Sequence, residues 1–538
     1  MKKKSSTEKT NFRTAFFSFY CSFFMLLFTG IATNLIGQPT IDWQNCYGGS
    51  SDEQAIEIHQ TMDKGYILVG SAFYNDGDVS GLHGGYDIWA IKLDSTGNID
   101  WQHCLGGSAS ESPRSIKQTV VDSGYIIAGN AFYDDGDVNG VHGGIDNWII
   151  KLDSSGNILW QRCLGGTGND IPNDILLTND SGYIVSGFTT SNDLNVSGNH
   201  GAKDFWIVKL DSLGFISWSK CLGGTGNDIA ESIKPTADKG YIIVGSSTSD
   251  DGDVSTNHGA EDFWVVKLDS SGSMIWQKSL GGSNSDIAKD VVQTFDGGYA
   301  ICGSTMSDDG DVSLNHGDRD FWIVKLDSSG SILWQRCLGG NSDDAAFGLI
   351  QTTDAKLIAC GLTNSTTDDV TDNHGLYDYW ITELDANGNK LWSKCFGGTD
   401  IDEPADIQQT LDAGFIVAGF SSSNDHDVSG NHGQTDIWVV KLNAVGTGIN
   451  NYGSSAFDLY FYPNPAQNNV RWRFNTGDDI TGSYAVFDVL GKVVLKKNKI
   501  LFDNHYHMTD LSTLPEGTYF FKWDIGHQII SRELVINR

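Results

Sequence analysis

The residue types most able to do chemistry recur in one kind of loop. NDGDVSGLHG at 75–84 returns as DDGDVNGVHG in a second copy and as DDGDVSTNHG in a fourth. Its carboxylates are Asp76 and Asp78, Asp135 and Asp137, Asp251 and Asp253, Asp309 and Asp311, and Asp425 and Asp427. The third copy carries Asp193 and Asn195, and the sixth carries Asp368 and Asp369. Two Asp flanking a Gly supply part of what calcium needs, because hard cations take clustered carboxylate oxygens. The further ligands and the closing Glu of a full calcium loop are missing. The same pattern is turn chemistry, an Asx turn followed by a left-handed glycine. Turn chemistry is the favoured reading, with calcium as the one cofactor the loops suggest.

A His-Gly pair closes each loop, at His83, His142, His200, His258, His316, His374 and His432. Shared metal ligation would require these imidazoles to converge, and equivalent points on separate sheets lie about 10 Å apart or more. A structural network is therefore expected, in which each His, the Asp that follows (Asp262 after Gly259) and a Trp lock the loop to its sheet. Six cysteines also share one repeat position: Cys46, Cys104, Cys163, Cys221, Cys337 and Cys395, with Ser279 in the remaining copy. Equivalent positions are too far apart for disulfides, so these cysteines read as small buried side chains. No nucleophile elbow, zincin motif or phosphate loop occurs.

These residues are positioned by repeats. Trp43, Trp101, Trp160, Trp218, Trp276, Trp334 and Trp392 are spaced 58, 59, 58, 58, 58 and 58 residues apart. A second series runs Trp89, Trp148, Trp206, Trp264, Trp322, Trp380 and Trp438, each two residues after an Asp. Each unit reads as four strands, exemplified by 228–235, 241–247, 262–269 and 274–282, with no helical period. Strands apolar on both faces suit a sheet sandwiched between two others. A glycine in the second strand, such as Gly245, marks a close backbone approach, expected to be crowding near an axis. The first unit begins with a fourth-type strand (40–47), and the last ends at its third (436–443). The expected fold is all-β: a seven-bladed propeller closed by the N-terminal strand, then a small β-sandwich. The strand order resembles kelch and WD-repeat propellers over 41–443, although the kelch double glycine and the WD dipeptide are absent. That resemblance is one of architecture and implies no reaction.

Residues 1–37 join a basic head to the apolar run 15–29 and small residues, the order of a cleaved secretory signal peptide. No later segment is apolar enough to span a bilayer. The formal charge of the chain is −33, and the leader is itself basic. The acidic excess sits in the repeats, which argues against nucleic-acid partners. The expected domains are thus 1–37, a propeller at 38–447, a linker at 448–457 and a C-terminal domain at 458–538.

The C-terminal domain opens Phe461-Tyr462-Pro463-Asn464-Pro465 and continues through Asp488-Val489-Leu490-Gly491-Lys492 and LPEGTYFFKW (514–523). These segments resemble the type A C-terminal sorting domain of type IX secretion. The resemblance implies a Bacteroidetes-like source, passage across both membranes, secretion machinery as a partner, and a secreted or cell-surface destination. The leading functional reading is a binding module for a glycan or surface protein. A polysaccharide hydrolase or lyase is one alternative, and a structural adhesion component is another. Near-identical units argue against an enzyme, because an active site needs residues that differ between units.

Overall fold

The computed structural model describes residues 37–444 and, with short gaps, 458–536. The expected leader, except Gly37, and the expected linker lie outside the described residues. Every regular element among the described residues is a β-strand. Strand β1 (Ile41–Tyr47) is followed by six four-stranded antiparallel sheets. These are β2–β5 (Gln54–Leu105), β6–β9 (Ser112–Leu164), β10–β13 (Asp170–Leu222), β14–β17 (Asp228–Leu280), β18–β21 (Asp286–Leu338) and β22–β25 (Asp344–Phe396). A seventh sheet has the order β1-β28-β27-β26, with β26–β28 spanning Asp402–Leu442. In it Gln44 pairs with Val440 and Cys46 with Trp438, antiparallel. This is a propeller-like array of repeated sheets, and the first strand in sequence belongs to the last sheet.

The fourth sheet shows why the sequence folds this way. Strand β16 (Asp262–Leu268, DFWVVKL) is buried at every position. Its β-branched and aromatic side chains cover both faces, as a strand between two packed sheets requires. One apolar cluster joins Ile184, Phe205 and Ile207 of the third sheet to Ile243, Trp264 and Val266 of the fourth. An equivalent cluster joins Ile416, Ile437 and Val439 of the seventh sheet to Leu68, Trp89 and Ile91 of the first. Each turn between third and fourth strands is fixed by an Asp. Asp269 Oδ1 accepts from the Ser271 and Ser273 amides at 2.8 and 2.9 Å. Gly272 in that turn has φ +80°, and a Cβ on it would meet the Trp218 ring of the preceding sheet at 2.8 Å.

The recurring second-strand glycine has a different cause from the expected axial crowding. A Cβ on Gly245 would lie 1.9 Å from the Ile229 carbonyl oxygen of its own sheet. Gly245 pairs with Ala230, just before a register shift between Ala230 and Ser232. The glycine thus makes room for a β-bulge in the innermost strand.

A buried lysine latches the turn between first and second strands in six of the seven sheets. Lys267, 3% exposed, reaches Asp238 Oδ2 at 3.0 Å and the Leu268 carbonyl at 2.9 Å. Lys92, Lys151, Lys209, Lys325 and Lys441 do the same with Asp63, Asp122, Asp180, Asp296 and Asp412. The sixth sheet swaps the charges. Glu383 holds the lysine position, Lys356 replaces the turn glycine, and their charged atoms lie 3.0 Å apart.

The C-terminal domain has two sheets. One is β29 (Asp458–Tyr462), β30 (Asn469–Asn475) and β33 (His507–Asp510). The other orders β32 (Val493–Phe502), β31 (Ile480–Asp488), β34 (Gly517–Ile525) and β35 (Gln528–Ile536). Their shared core includes Val470, Trp472, Tyr484, Phe521, Trp523 and Leu534. Pro463, Asn464 and Pro465, with Val489, Leu490 and Gly491, lie outside the described residues.

Candidate functional site

The loop carboxylates are turn anchors. Asp76 Oδ1 accepts from the Ser50 amide at 2.9 Å, and Oδ2 from the Ser50 hydroxyl at 2.6 Å. Asp135, Asp193, Asp251, Asp309 and Asp425 hold the amides of Ser108, Thr167, Thr225, Ser283 and Thr399 in the same way. Each loop is thereby tied to the GG-[ST] segment entering its sheet. These bonds keep the exposed Asp76, Asp135 and Asp425 carboxyls below the usual range. The second acids are held more loosely. Asp78, Asp137, Asp253 and Asp311 accept from Gly48, Gly106, Gly223 and Gly281 amides at 3.3 to 3.4 Å. In the sixth copy the structural register differs from the sequence pairing. Thr367 takes the first acid's place, bonding the Asn341 amide at 3.2 Å, and Asp368 stands at φ +58° where four copies have Gly. Asp369 pairs instead with Lys390. Leu194 and His426 occupy that positive-φ site in the third and seventh copies. Asp427, the last second acid, is intermediate in burial among described residues.

Each His turns its Nδ1 to the Asp that opens the third strand. His83, His142, His200, His258, His316, His374 and His432 meet Asp87, Asp146, Asp204, Asp262, Asp320, Asp378 and Asp436 at 2.5 to 2.7 Å. Those aspartates are wholly buried. Burial pushes their carboxyls up, and the His bonds partly offset it. With Nδ1 so oriented, the part-exposed Nε2 edge is left toward solvent. The tryptophans make a separate link: Trp89, Trp148, Trp264, Trp322 and Trp438 donate to Gln102, Gln161, Gln277, Gln335 and Gln44 on the outer strand. The eight cysteines of the described residues are all free. Burial raises the Cys46, Cys104, Cys163 and Cys221 thiols to about 12, which leaves them unreactive as thiols.

Between the first two sheets the loop residues line a groove of about 520 Å³. Ser80, His83, Gln102, His103, Asp137 and Asn157 form its polar wall. His83 Nε2 lies 3.8 Å from Asp137 Oδ2 of the next loop. The volume falls in the range of small-molecule sites, about 300–1,000 Å³.

A further set of polar residues lies on the first strand of each sheet. These strands touch in succession round the array, and β2 (Gln54–Gln60) also touches β26 (Asp402–Gln409). One equivalent position on these strands reads Glu57, Ser115, Asp174, Ser232, Asp290, Gly348 and Asp406. It is where the units differ, so averaging the copies hides it. Glu57 pairs with Lys117, and its Oε2 accepts from the Ile116 amide at 2.6 Å. Asp174, Asp290 and Asp406 likewise accept from the Ile233, Leu349 and Ile58 amides of the next sheet. Acids alternate with small residues along the series, and its two end members, Glu57 and Asp406, lie close together. Burial, then the Glu57 charge, pushes the Asp406 carboxyl up to about 6. Burial also raises Glu57, but Lys117 and His59 outweigh it and hold that carboxyl low. Ligand atoms of Glu57, His59 and Asp406 lie within 4.8 Å of one another. Lys117 already supplies the cation there, and the central cavity of about 120 Å³ suits a few waters rather than a sugar.

Comparison with known proteins adds one firm assignment and several distant likenesses. A stretch of 207 residues is 26% identical to the regulatory protein FlaEY of Caulobacter vibrioides, covering 35% of this chain and 22% of that protein. The chain therefore spans about a fifth of the curated relative it matches. Among solved structures, a fungal alcohol oxidase of the AA5 family in complex with copper has TM-score 0.41 and 12% identity, covering 94% of this chain and all of that one. Sqt1 from Chaetomium thermophilum has TM-score 0.41 and 12% identity, covering 76% of this chain and 100% of that one. Among the described residues no helix is long and apolar enough to cross a membrane. Residues 460–537 match the secretion system C-terminal sorting domain family, so the chain carries a type IX sorting tail, which directs it through that machinery to the cell exterior or outer surface.

Proposed function

We propose that the exported repeat region is a seven-bladed propeller closed by β1, and that it is a binding module for a glycan or another surface protein. The polar groove between the first two sheets carries this reading. Ser80, His83, Gln102, His103 and Asp137 offer donors and acceptors with little apolar wall, which suits a hydroxyl-rich ligand. Related loops recur round the array, so several weak contacts reinforce one another. The hydrolase, lyase and adhesion readings make different demands on a single unit. A glycan and surface-protein array probed with the mature chain is expected to give binding that Asp137→Asn with His103→Ala weakens about 5- to 30-fold, a loss of roughly 1–2 kcal/mol. Complete loss of a turnover activity from that one unit would instead favour an enzyme.

Calcium belongs to this reading only as a loop ligand. Both oxygens of Asp76, Asp193, Asp251 and Asp425 are engaged by the entering segment. Millimolar calcium is accordingly expected to move the melting midpoint by less than about 1 °C, as weak binding to the folded state dictates. A rise of several degrees would establish the loops as calcium sites.

A further inference from the structure

Two wholly buried acids meet at each place where one sheet passes to the next. Asp436 faces Glu53, Asp87 faces Glu111, and Asp146 faces Asp170. Asp204 faces Asp228, Asp262 faces Asp286, Asp320 faces Asp344, and Asp378 faces Asp402. All fourteen side chains belong to residues 0% exposed. The members of each pair bracket one glycine. A Cβ on Gly48 would lie 2.7 Å from Glu53 Oε2 and 2.8 Å from Asp436 Oδ1. A Cβ on Gly281 would lie 2.6 Å from Asp286 Oδ2 and 2.7 Å from Asp262 Oδ1. The His-bearing member spends only Oδ2 on its histidine. Its Oδ1 has no hydrogen-bond partner within the chain at any of the seven junctions.

The second members are bonded in two ways. Asp228 accepts from Ser247, Ser249 and the Gly224 amide, and Asp286, Asp344 and Asp402 have matching partners. The first two copies have Ala72 and Tyr74, or Ala131 and Tyr133, where the hydroxyls would be, and there the acid is Glu. The longer chain still reaches the Gly49 or Gly107 amide at 2.8 and 2.9 Å. Its other oxygen is left without a partner within the chain.

Two like charges in one dry site cannot both persist cheaply. We infer that six of the junctions, those of Glu53, Glu111, Asp228, Asp286, Asp344 and Asp402, titrate as carboxyl pairs that hold one proton above the ordinary carboxylate range, so the array is tightened by acid and loosened by alkali. Burial, with the neighbouring acid adding to it, raises Glu53 and Glu111, and it takes Asp344 and Asp402 to about 6. A carboxyl raised by folding adds stability that is full below its unfolded value near pH 4. That stability is lost as pH climbs through the folded value, hence between about pH 4 and 6 at those two acids. The titratable groups facing the Glu53 pair are His432, Asp76, Asp78, Tyr86 and Cys46. Those facing the Glu111 pair are His83, Asp135, Asp137 and Cys104.

Glu53→Gln with Glu111→Gln tests this in the mature chain. Each amide keeps an oxygen for the glycine N–H and removes one charge of its pair. The double variant is expected to melt about 1–3 °C above the parent at pH 8 and no higher than the parent at pH 5. At pH 6 the parent should release more protons on unfolding than the variant. Half-molar salt screens exposed acids but not these buried ones, so the difference should survive it. An infrared carbonyl band of protonated carboxylic acid should be present in the parent at pH 6 and fade by pH 8. Equal destabilisation of the variant at both pH values, or no protonated-acid band at pH 6, would overturn the inference.

Discussion

Removing residues 38–47 is expected to cost the repeat region its cooperative fold. Strand β1 is the outer strand of the seventh sheet, paired with β28 (Asp436–Leu442) from Ile41 to Tyr47. Gln44 caps the Trp438 indole at 2.8 Å and reaches Ser429 Oγ at 2.6 Å. Cys46 and Tyr47 are buried against sheet neighbours, and the Tyr47 hydroxyl donates to the Gly97 carbonyl of the first sheet. Without β1, the wholly buried Trp438 loses its cap and β28 becomes an unpaired edge. Ladder bonds at about 1 kcal/mol each and buried side chains at about 2 kcal/mol each sum to roughly 5–10 kcal/mol. That approaches the whole stability of a typical domain, about 5–15 kcal/mol. Urea unfolding followed by tryptophan fluorescence should lose its single sharp transition, and light scattering should report edge-driven association. An unchanged midpoint would mean that β1 contributes little to the seventh sheet.

Glu383→Lys is expected to destabilise the chain by about 3–5 kcal/mol, the scale for breaking a buried ion pair. Glu383 is 2% exposed and is the sixth sheet's replacement for the buried lysine. The new lysine would face Lys356 with only Asp354, already paired with Lys356 at 3.2 Å, to balance two cations. Adding Lys356→Gly recreates the arrangement of Lys267 with Asp238 and Gly240. The double variant should therefore recover to within about 1 kcal/mol of the parent in a double-mutant cycle. Additive losses would show that the two positions are not coupled. The charge swap also shows one chain solving the same turn twice, with opposite signs.

Much of the strand order could be read from the sequence because the repeat supplies its own comparison. The Asp–x–Trp series marks every third strand, and the Gly-bearing runs mark every second one. The phase of the first unit points to pairing between 40–47 and 436–443, and Cys46 does stand opposite Trp438. The cause of the second-strand glycine was not legible, because a bulge such as that between Ala230 and Ser232 leaves no distinct residue signature. The partner of the buried tryptophans was hidden for a related reason. Gln277 lies thirteen residues after Trp264, and only the ladder between third and fourth strands brings them together. The loop acids could be located, but the Ser50 and Thr225 amides they hold come from another part of the chain. The central acids were missed because their variation, Glu57 to Ser115 to Asp174, looks like noise when units are averaged.

Hydrogen exchange of the intact chain is the most direct test of a ring closed by its own first strand. Amides of β28 should be protected to within about tenfold of those of the equivalent β16 (Asp262–Leu268), since both would lie between two paired strands. Exchange along β28 at the rate of an exposed edge strand, with β16 still protected, would contradict closure and leave an open array of sheets.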